Sequence, residues 1–291
     1  MYHPFLCISL ALAAIIFNDH SSAWAEAQAS VKQTPALVFS TYLGGSKPCD
    51  ACTGADTFSQ NTAVDTAGNI YVTGATTVSD LPVLNASQQQ PAQGSMMSSF
   101  VAKYDPTGNP LWCTYLGGNQ QSMGVGIAAM PAGGVAVAGL TTSDTSVPFP
   151  TMNPYQPQLA GKSDYFVTVF DWSGNMLYST YLGGSGAEGT PEPNTFDYDS
   201  NNGNNVAVDA TGNVVQTGPT YSPDFPLKNP AQTWPGNAGG LNAFVAKFAG
   251  FSSPQQLNVP TMNFWGALLL FLTLAGASVW KIRSARRRRL G

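Results

Sequence analysis

Apolar and polar positions follow a pattern that repeats about every 70 residues along the chain. The segment Ser-Thr-Tyr-Leu-Gly-Gly at 40–45 returns almost unchanged at 113–118 and 179–184. Between these copies lie short apolar runs joined by Asp-x-x-Gly-Asn stretches, in which Asp accepts backbone hydrogen bonds and Gly takes a positive φ. A fixed long period indicates an array of supersecondary units. The pattern therefore predicts repeated β-hairpins, with the Asp residues as turn-formers rather than catalytic groups.

Each repeat contains two predicted hairpins. The first has copies at 63–74, 128–139 and 207–218, and the second begins at 100, 166 and 244. In the strand at 177–182, large side chains fall on both faces, which predicts a sheet covered on both sides. With a further strand at 37–43 the count reaches twelve. The chain thus predicts an all-β, propeller-like array of about three four-stranded antiparallel blades, in which 37–43 completes the last blade; a β-sandwich or barrel is the alternative.

Several motifs recur in the same order. They are Tyr-Leu-Gly-Gly, Ala-Val-Asp-x-x-Gly-Asn, Thr-Gly and Phe-Val-Ala-Lys, with Ser-Pro-Asp-Phe-Pro at 222–226. Together they resemble the SBBP family of bacterial β-propeller repeats over 37–248, which implies a propeller domain at 37–250. Closed propellers usually contain about four to eight blades, whereas this chain supplies about three. We therefore expect either self-association that completes a larger ring or an open or unusually small array.

The two ends of the chain differ from the repeats. Residues 5–17 form an apolar run that is followed by Ala-Trp-Ala at 23–25. This is the pattern of a secretory signal peptide, which we place at 1–25. Residues 26–36 form a leader into the first repeat, and 251–258 form a linker after the last one. The sequence therefore predicts an exported chain.

The segment 259–291 contains a short motif, an apolar run at 264–280 and a basic end. The run predicts a transmembrane helix, and the basic end predicts a cytoplasmic C-terminus. The arrangement resembles the IPTL-CTERM sorting signal. Its motif residues are Val259, Pro260, Thr261, Met262, Trp265 and Gly266, and its stop-transfer residues are Lys281, Arg283, Arg286, Arg287, Arg288 and Arg289.

That resemblance implies a route through the cell envelope of a Gram-negative bacterium. The partner it implies is an exosortase-like processing enzyme that cleaves near the motif. The chain is then expected to be anchored in the inner membrane by its C-terminal helix before processing. Afterwards the repeats are expected at the cell surface or outside the cell.

The charge distribution narrows the possible functions. Residues 26–258 hold six Lys, no Arg, no His and fifteen acidic residues, for a formal charge of −9. An acidic segment without arginine is a poor phosphate binder, so we expect no nucleic-acid partner. Without histidine, the commonest general base and zinc ligand are missing. The sequence favours a non-enzymatic protein that binds or adheres, in the envelope or extracellular matrix, to a glycan or a surface protein.

A few residues carry alternative chemistry. A polysaccharide-active enzyme would need paired carboxylates, and a purely structural envelope component is a third option. The candidate acids are Glu188, Glu192, Asp197 and Asp199, which cluster in one inserted acidic loop at 188–205. Asp197, Asp199 and Asn201 also resemble a calcium loop weakly, in a segment otherwise interpreted as a solvated loop; no other cofactor is expected.

The cysteines and two aromatic residues complete the candidates. Cys49 and Cys52 have the spacing of a small local disulfide, with a redox motif as the less favoured interpretation. Cys113 lies on an apolar strand and is expected to be a buried thiol. Trp234 and Tyr221 are expected to be exposed near loop ends, where they would stack on sugar, although core packing is the commoner use of an aromatic residue.

Overall fold

The computed structural model describes residues 36–189, 205–233 and 240–251. The described residues form eleven β-strands and no helix, which confirms the all-β prediction. The strands are β1 Thr57–Val64, β2 Ile70–Thr76, β3 Ser98–Tyr104, β4 Pro110–Leu116, β5 Ser122–Ala129, β6 Val135–Thr141, β7 Asp164–Phe170, β8 Met176–Leu182, β9 Asn205–Val208, β10 Val214–Thr220 and β11 Asn242–Phe248. Within this part of the chain, no helix is long and apolar enough to cross a membrane.

The strands form three antiparallel sheets in chain order. Sheet 1 is β1-β2-β3-β4, sheet 2 is β5-β6-β7-β8, and sheet 3 is β9-β10-β11. Sheets 1 and 2 have the predicted four strands, but sheet 3 has three. The predicted strand at 37–43 is wrong for the single chain, because residues 36–45 form no strand.

The register shows that sheets 1 and 2 are structural repeats. Phe100 lies opposite Tyr115 between β3 and β4, and Phe166 lies opposite Tyr181 between β7 and β8. The first hairpin of each sheet also has an irregularity near the glycine of its Thr-Gly or Ala-Gly pair. A Cβ on Gly74 would collide with the carbonyl oxygen of Phe58. The recurring glycine therefore permits a close approach of two strands.

The Asp-x-x-Gly-Asn stretches form the predicted turns. Asp65 Oδ1 accepts hydrogen bonds from the amides of Ala67 and Asn69 at 2.9 Å each, and Oδ2 accepts one from Asn69 Nδ2. Gly68 has a φ of 83°. The same bonding recurs at Asp105, Asp171 and Asp209. These carboxylates hold the hairpins, as the sequence predicts.

Sheet 2 lies between the other two sheets. β5 packs against β1, β2 and β3 on one side, and β5 and β6 pack against β9 on the other. Every residue of β6 and β7 is buried, so sheet 2 is covered on both faces. Sheets 1 and 3 share no comparably extensive contact among the described residues. The three sheets thus form an open series.

Candidate functional site

Many predicted site residues lie outside the described part of the chain. These are the sorting motif at 259–266, the basic end at 281–289, the weak calcium loop with Asp197, Asp199 and Asn201, and Glu192 and Trp234. Tyr221 is half-buried rather than exposed. Among the described residues, no group of three or more His, Cys, Asp or Glu side chains could hold a metal ion.

The described cysteines have structural positions. Cys49 and Cys52 are joined by a disulfide in the loop before β1. The amide of Cys49 donates to the carbonyl oxygen of Thr77 at 2.8 Å, so the loop is attached to the segment after β2. Cys113 is a buried free thiol on β4, and burial raises its pKa to about 12. A thiol with so high a pKa is a poor nucleophile at neutral pH.

Glu188 is the only enzyme candidate that falls in the described part, and its predicted setting is wrong. It was expected in a solvated acidic loop, but its side chain is fully buried. Its backbone pairs with Thr220 at the end of β10, and its amide donates to the carbonyl oxygen of Ser163 at 3.0 Å. Glu188 therefore lies at the contact between sheets 2 and 3.

A second buried carboxylate lies at the same contact. Asp164 begins β7, and its Oδ2 accepts hydrogen bonds from Gln156 Nε2 at 2.6 Å and from the amide of Ala160 at 2.9 Å. Glu188 Oε1 accepts from Ser222 Oγ at 2.5 Å and from the amide of Gly184 at 2.9 Å. Asp164 Oδ1 and Glu188 Oε2 make no hydrogen bond of normal geometry, although the amide of Gly161 and the side chain of Thr220 act to lower the pKa of Asp164 and Glu188 respectively. We call Asp164, Glu188, Thr220 and Ser222 the acidic junction.

The electrostatics of the acidic junction follow from this burial. Burial raises the pKa of Asp164 to about 7, and the negative charge of Glu188 adds to the effect. Burial also raises the pKa of Glu188, against the hydrogen bonds from Gly184 and Ser222. Taking a carboxylate out of water disfavours its charged form, and a second carboxylate nearby disfavours it further. At neutral pH the junction is therefore an unfavourable place for negative charge.

The contact between sheets 1 and 2 has the same layout with neutral residues. Ser98 is the equivalent of Asp164: Ser98 pairs with Thr76, and Asp164 pairs with Thr141. Ser122 is the equivalent of Glu188: Ser122 pairs with Thr141, and Glu188 pairs with Thr220. Ser98, Ser122, Thr141 and Ser143 form this hydroxyl junction. Ser122 Oγ and Thr141 Oγ1 are 2.9 Å apart, and Ser98 Oγ is 3.0 Å from Ser95 Oγ. Sequence reasoning missed Asp164, although an alignment of the repeats at their Gly-Gly pairs matches Asp164 with Ser98.

A surface pocket lined by aromatic rings lies where β8 and the end of β11 meet. Its volume is about 350 Å³, and its lining includes Asn153, Leu177, Tyr178, Phe248, Gly250 and Phe251. The ring centroids of Tyr178 and Phe251 are 5.1 Å apart, and those of Tyr178 and Phe248 are 6.0 Å apart. Asn153 has a φ of 48°, a left-handed conformation that asparagine tolerates. We call this feature the aromatic pocket; no local sequence pattern predicts it, because its residues come from three separate segments.

The comparisons with known proteins agree with the fold. A family model described as an SBBP beta-propeller repeat matches residues 38–82. This is a shorter stretch than the resemblance over 37–248 predicted. No curated protein matches the chain. The matched repeat and the three antiparallel sheets together indicate a protein of the β-propeller type.

Proposed function

We propose that this chain is an exported, surface-destined, non-enzymatic β-propeller protein that binds an envelope glycan. The observation that carries the proposal is the aromatic pocket. Small-molecule sites are typically concave and lined by apolar and aromatic groups with a few polar ones. Tyr178, Phe248 and Phe251 supply apolar ring surface for the C–H face of a sugar, and Asn153 supplies amide hydrogen bonds to its hydroxyls.

The positions of the described acids support a binding role over catalysis. The acids of the turns accept hydrogen bonds within their own hairpins through both carboxylate oxygens. These acids are Asp65, Asp105, Asp171 and Asp209. A glycoside hydrolase needs two carboxyl groups that flank the scissile bond. Asp164 and Glu188 are close enough to influence each other's charge, but both are fully buried and would not meet a polymer.

The direct test measures binding and turnover on the same samples. The full chain, purified in detergent, is titrated with envelope polysaccharide by calorimetry. Tyr178→Ala should weaken binding at least ten-fold, because it removes the central ring of the pocket. Trp172→Ala, which removes an aromatic side chain 40% exposed on another turn, should leave binding unchanged. Equal loss in both variants, or no binding at all, would contradict the proposal.

The enzymatic alternative predicts a different result in that assay. A hydrolase would release new reducing ends from the polysaccharide, and Glu188→Gln would abolish the release. We expect no release from either protein. Release that depends on Glu188 would replace the binding proposal by a catalytic one.

The proposed destination depends on the two ends of the sequence. Pro260→Ala in the sorting motif should leave uncleaved precursor in the inner membrane, whereas the unaltered chain should lose its C-terminal segment and reach the surface. Fractionation followed by immunoblotting measures both species. Identical distribution of the two proteins would count against processing at this motif.

A further inference from the structure

Among the described residues, no strand covers the outer edge of sheet 3 as one does in the other two sheets. β3 pairs with both β2 and β4, and β7 pairs with both β6 and β8, whereas β11 pairs only with β10 among the described strands. The equivalent valines also differ. Val101 and Val167 have no exposed surface and belong to clusters that include residues of the following sheet, but Val245 is 76% exposed. An open strand edge of this kind is a template for pairing with another segment.

The missing strand has a recognisable sequence. The strands that cover β3 and β7 end in Thr-Tyr-Leu followed by Gly-Gly, and the third copy of this segment is 41–45. Residues 36–42, which include the start of this copy, form no strand, and Leu37, Val38 and Tyr42 are 85%, 79% and 103% exposed. The third copy of the covering sequence thus forms no strand of its own, and sheet 3 has no covering strand among the described residues.

The tyrosine of the covering strand has a defined partner in each complete sheet. Tyr115 Oη accepts a hydrogen bond from the amide of Leu81 at 2.8 Å, and Tyr181 Oη accepts one from the amide of Phe149 at 2.8 Å. The equivalent residue of sheet 3 is Phe225, whose amide makes a long bond of 3.4 Å to the carbonyl oxygen of Ser222. Tyr42 is the tyrosine that fits this position.

The residues after each Gly-Gly show which sheet the covering strand leads into. After β4 of sheet 1, the side chain of Asn119 donates to Asp144 of sheet 2 at 2.8 Å. After β8 of sheet 2, Ser185 donates through its amide to Asp224 of sheet 3 at 2.9 Å. After 40–45, the amide of Ser46 donates to Asp80 of sheet 1 at 2.8 Å. By this rule the segment 37–43 is the outer strand of a sheet that precedes sheet 1.

A second copy supplies such a sheet. Sheets 1 and 3 lie at opposite ends of an open series, so the sheet that precedes sheet 1 can be sheet 3 of another chain. The first strands of these two sheets are also more exposed than the first strand of sheet 2: β1 and β9 are half-exposed, whereas β5 is mostly buried. A head-to-tail contact of this type closes into a ring when the rotation between copies allows it.

We propose that two copies of this chain exchange their 37–43 segments, each pairing with β11 of the other copy, to form one ring of six four-stranded sheets. The register of sheets 1 and 2 places Tyr42 opposite Phe244 and Thr41 opposite Val245. Six sheets fall within the range of about four to eight that closed propellers use. The inference does not depend on the proposed glycan ligand.

The test uses two single-cysteine variants of the full chain, Thr41→Cys and Val245→Cys. Residues opposite each other in antiparallel strands are about 4.5–5.5 Å apart at Cα, which suits a disulfide. When the two variants are mixed and oxidised, we expect a covalent dimer that contains one of each. Neither variant oxidised alone should give this product. The double variant should form a dimer linked by two disulfides.

Two outcomes would overturn the proposal. One is a double variant that forms its new disulfide within a single chain, because the segment would then cover its own β11. The other is the absence of any cross-link together with a monomeric mass by light scattering. Thr41→Pro supplies a separate readout, since it removes an amide from the exchanged segment and should weaken the dimer at least ten-fold. Thr41→Val, which keeps the amide and β-branching, should not; equal dimerisation of both would also overturn the exchange.

Discussion

Sheets 1 and 3 contain the same tetrapeptide in two different settings. Phe-Val-Ala-Lys spans 100–103 in β3 and 244–247 in β11. In β3 all four residues are buried, whereas in β11 the valine is 76% exposed and the lysine is exposed. The residues are the same, so the difference comes from their surroundings: β3 has a covering strand and packs against sheet 2, whereas β11 has neither a covering strand nor a following sheet among the described residues. Burial here belongs to the strand's position in the sheet rather than to its sequence.

The two contacts between sheets differ in a second way. The hydroxyl junction between sheets 1 and 2 is neutral, and its side chains bond to one another. The acidic junction between sheets 2 and 3 buries two carboxylates, each with an oxygen that makes no hydrogen bond of normal geometry. Each carboxylate accepts hydrogen bonds through its other oxygen, so the cost of burying its charge is only partly compensated. Sheet 3 is therefore less firmly held than sheet 1, both at its outer edge and at its contact with sheet 2.

The largest expected effect is a stability that falls as pH rises. The pKa of Asp164 is about 7 in the folded protein and about 3.9 in an unfolded chain. Between these values the folded state holds a proton that the unfolded state has lost, so the free energy of unfolding decreases from about pH 4 to pH 7. Asp164→Asn keeps an acceptor for Gln156 and Ala160 but carries no charge. It should stabilise the protein by about 2–4 kcal/mol at pH 8 and have little effect at pH 4.

Thermal unfolding at several pH values measures this difference. Ser98→Ala is the matched control, because it alters the equivalent position of the neutral junction and should give the same change at pH 4 and pH 8. The charge of Asp224 adds to the burial that raises the pKa of Glu188. Burial raises the pKa of Tyr165 and Tyr181, and the charges of Glu188 and Asp164 respectively add to that effect. A stabilisation by Asp164→Asn that is independent of pH would contradict the charge explanation.

The next largest effect concerns the two valines of the shared tetrapeptide. Val101→Ala removes two methyl groups from a fully buried site and should lower the free energy of unfolding by about 2–3 kcal/mol. Val245→Ala acts at an exposed site and should change it by about 0.5 kcal/mol or less in the dissociated chain. Denaturant unfolding at low protein concentration measures both. Equal losses would show that β11 is covered after all, and the comparison of the two sheets would fail.

Much of the fold could be predicted from the repeats alone. The turns and the Phe-Val-Ala-Lys strands predicted a strand at the place of each of the eleven observed ones, because turn chemistry and alternation are local properties. β1 and β5 were marked only at their ends, where Ala63 and Ala128 begin the predicted hairpins. The strand at 37–43 failed for the opposite reason. Its sequence matches β4 and β8, but a strand exists only when a neighbour accepts its hydrogen bonds.

The candidate sites depended on information that no local pattern carries. Asp164 and Glu188 are 24 residues apart in sequence, and only the stacking of sheets 2 and 3 places both at one contact. The aromatic pocket likewise combines Asn153, Tyr178 and Phe248 from three segments. Composition indicated correctly that acids outnumber bases, but it could not distinguish an acid that holds a turn from one that is buried at a contact between sheets. That distinction is set by packing.

The smallest effect concerns the two lysines of the tetrapeptide. Lys103 is 4% exposed; its Nζ donates to the carbonyl oxygen of Trp172 at 3.0 Å and lies 5.0 Å from the ring centroid of Tyr71. Lys103→Ala should therefore cost about 1–2 kcal/mol, because a charge-assisted bond and a cation–π contact outweigh the cost of burying the ammonium. Lys247 pairs with Asp209 at 2.9 Å on the surface, where its side chain is 54% exposed. Lys247→Ala should shift the melting temperature by less than about 2 °C, since surface ion pairs add little.

Melting in high salt checks the assignment: the Lys247 effect should disappear, and the Lys103 effect should persist, because buried charges are screened less. A Lys103 effect that vanished in salt would mean that β3 and β11 hold their lysines alike.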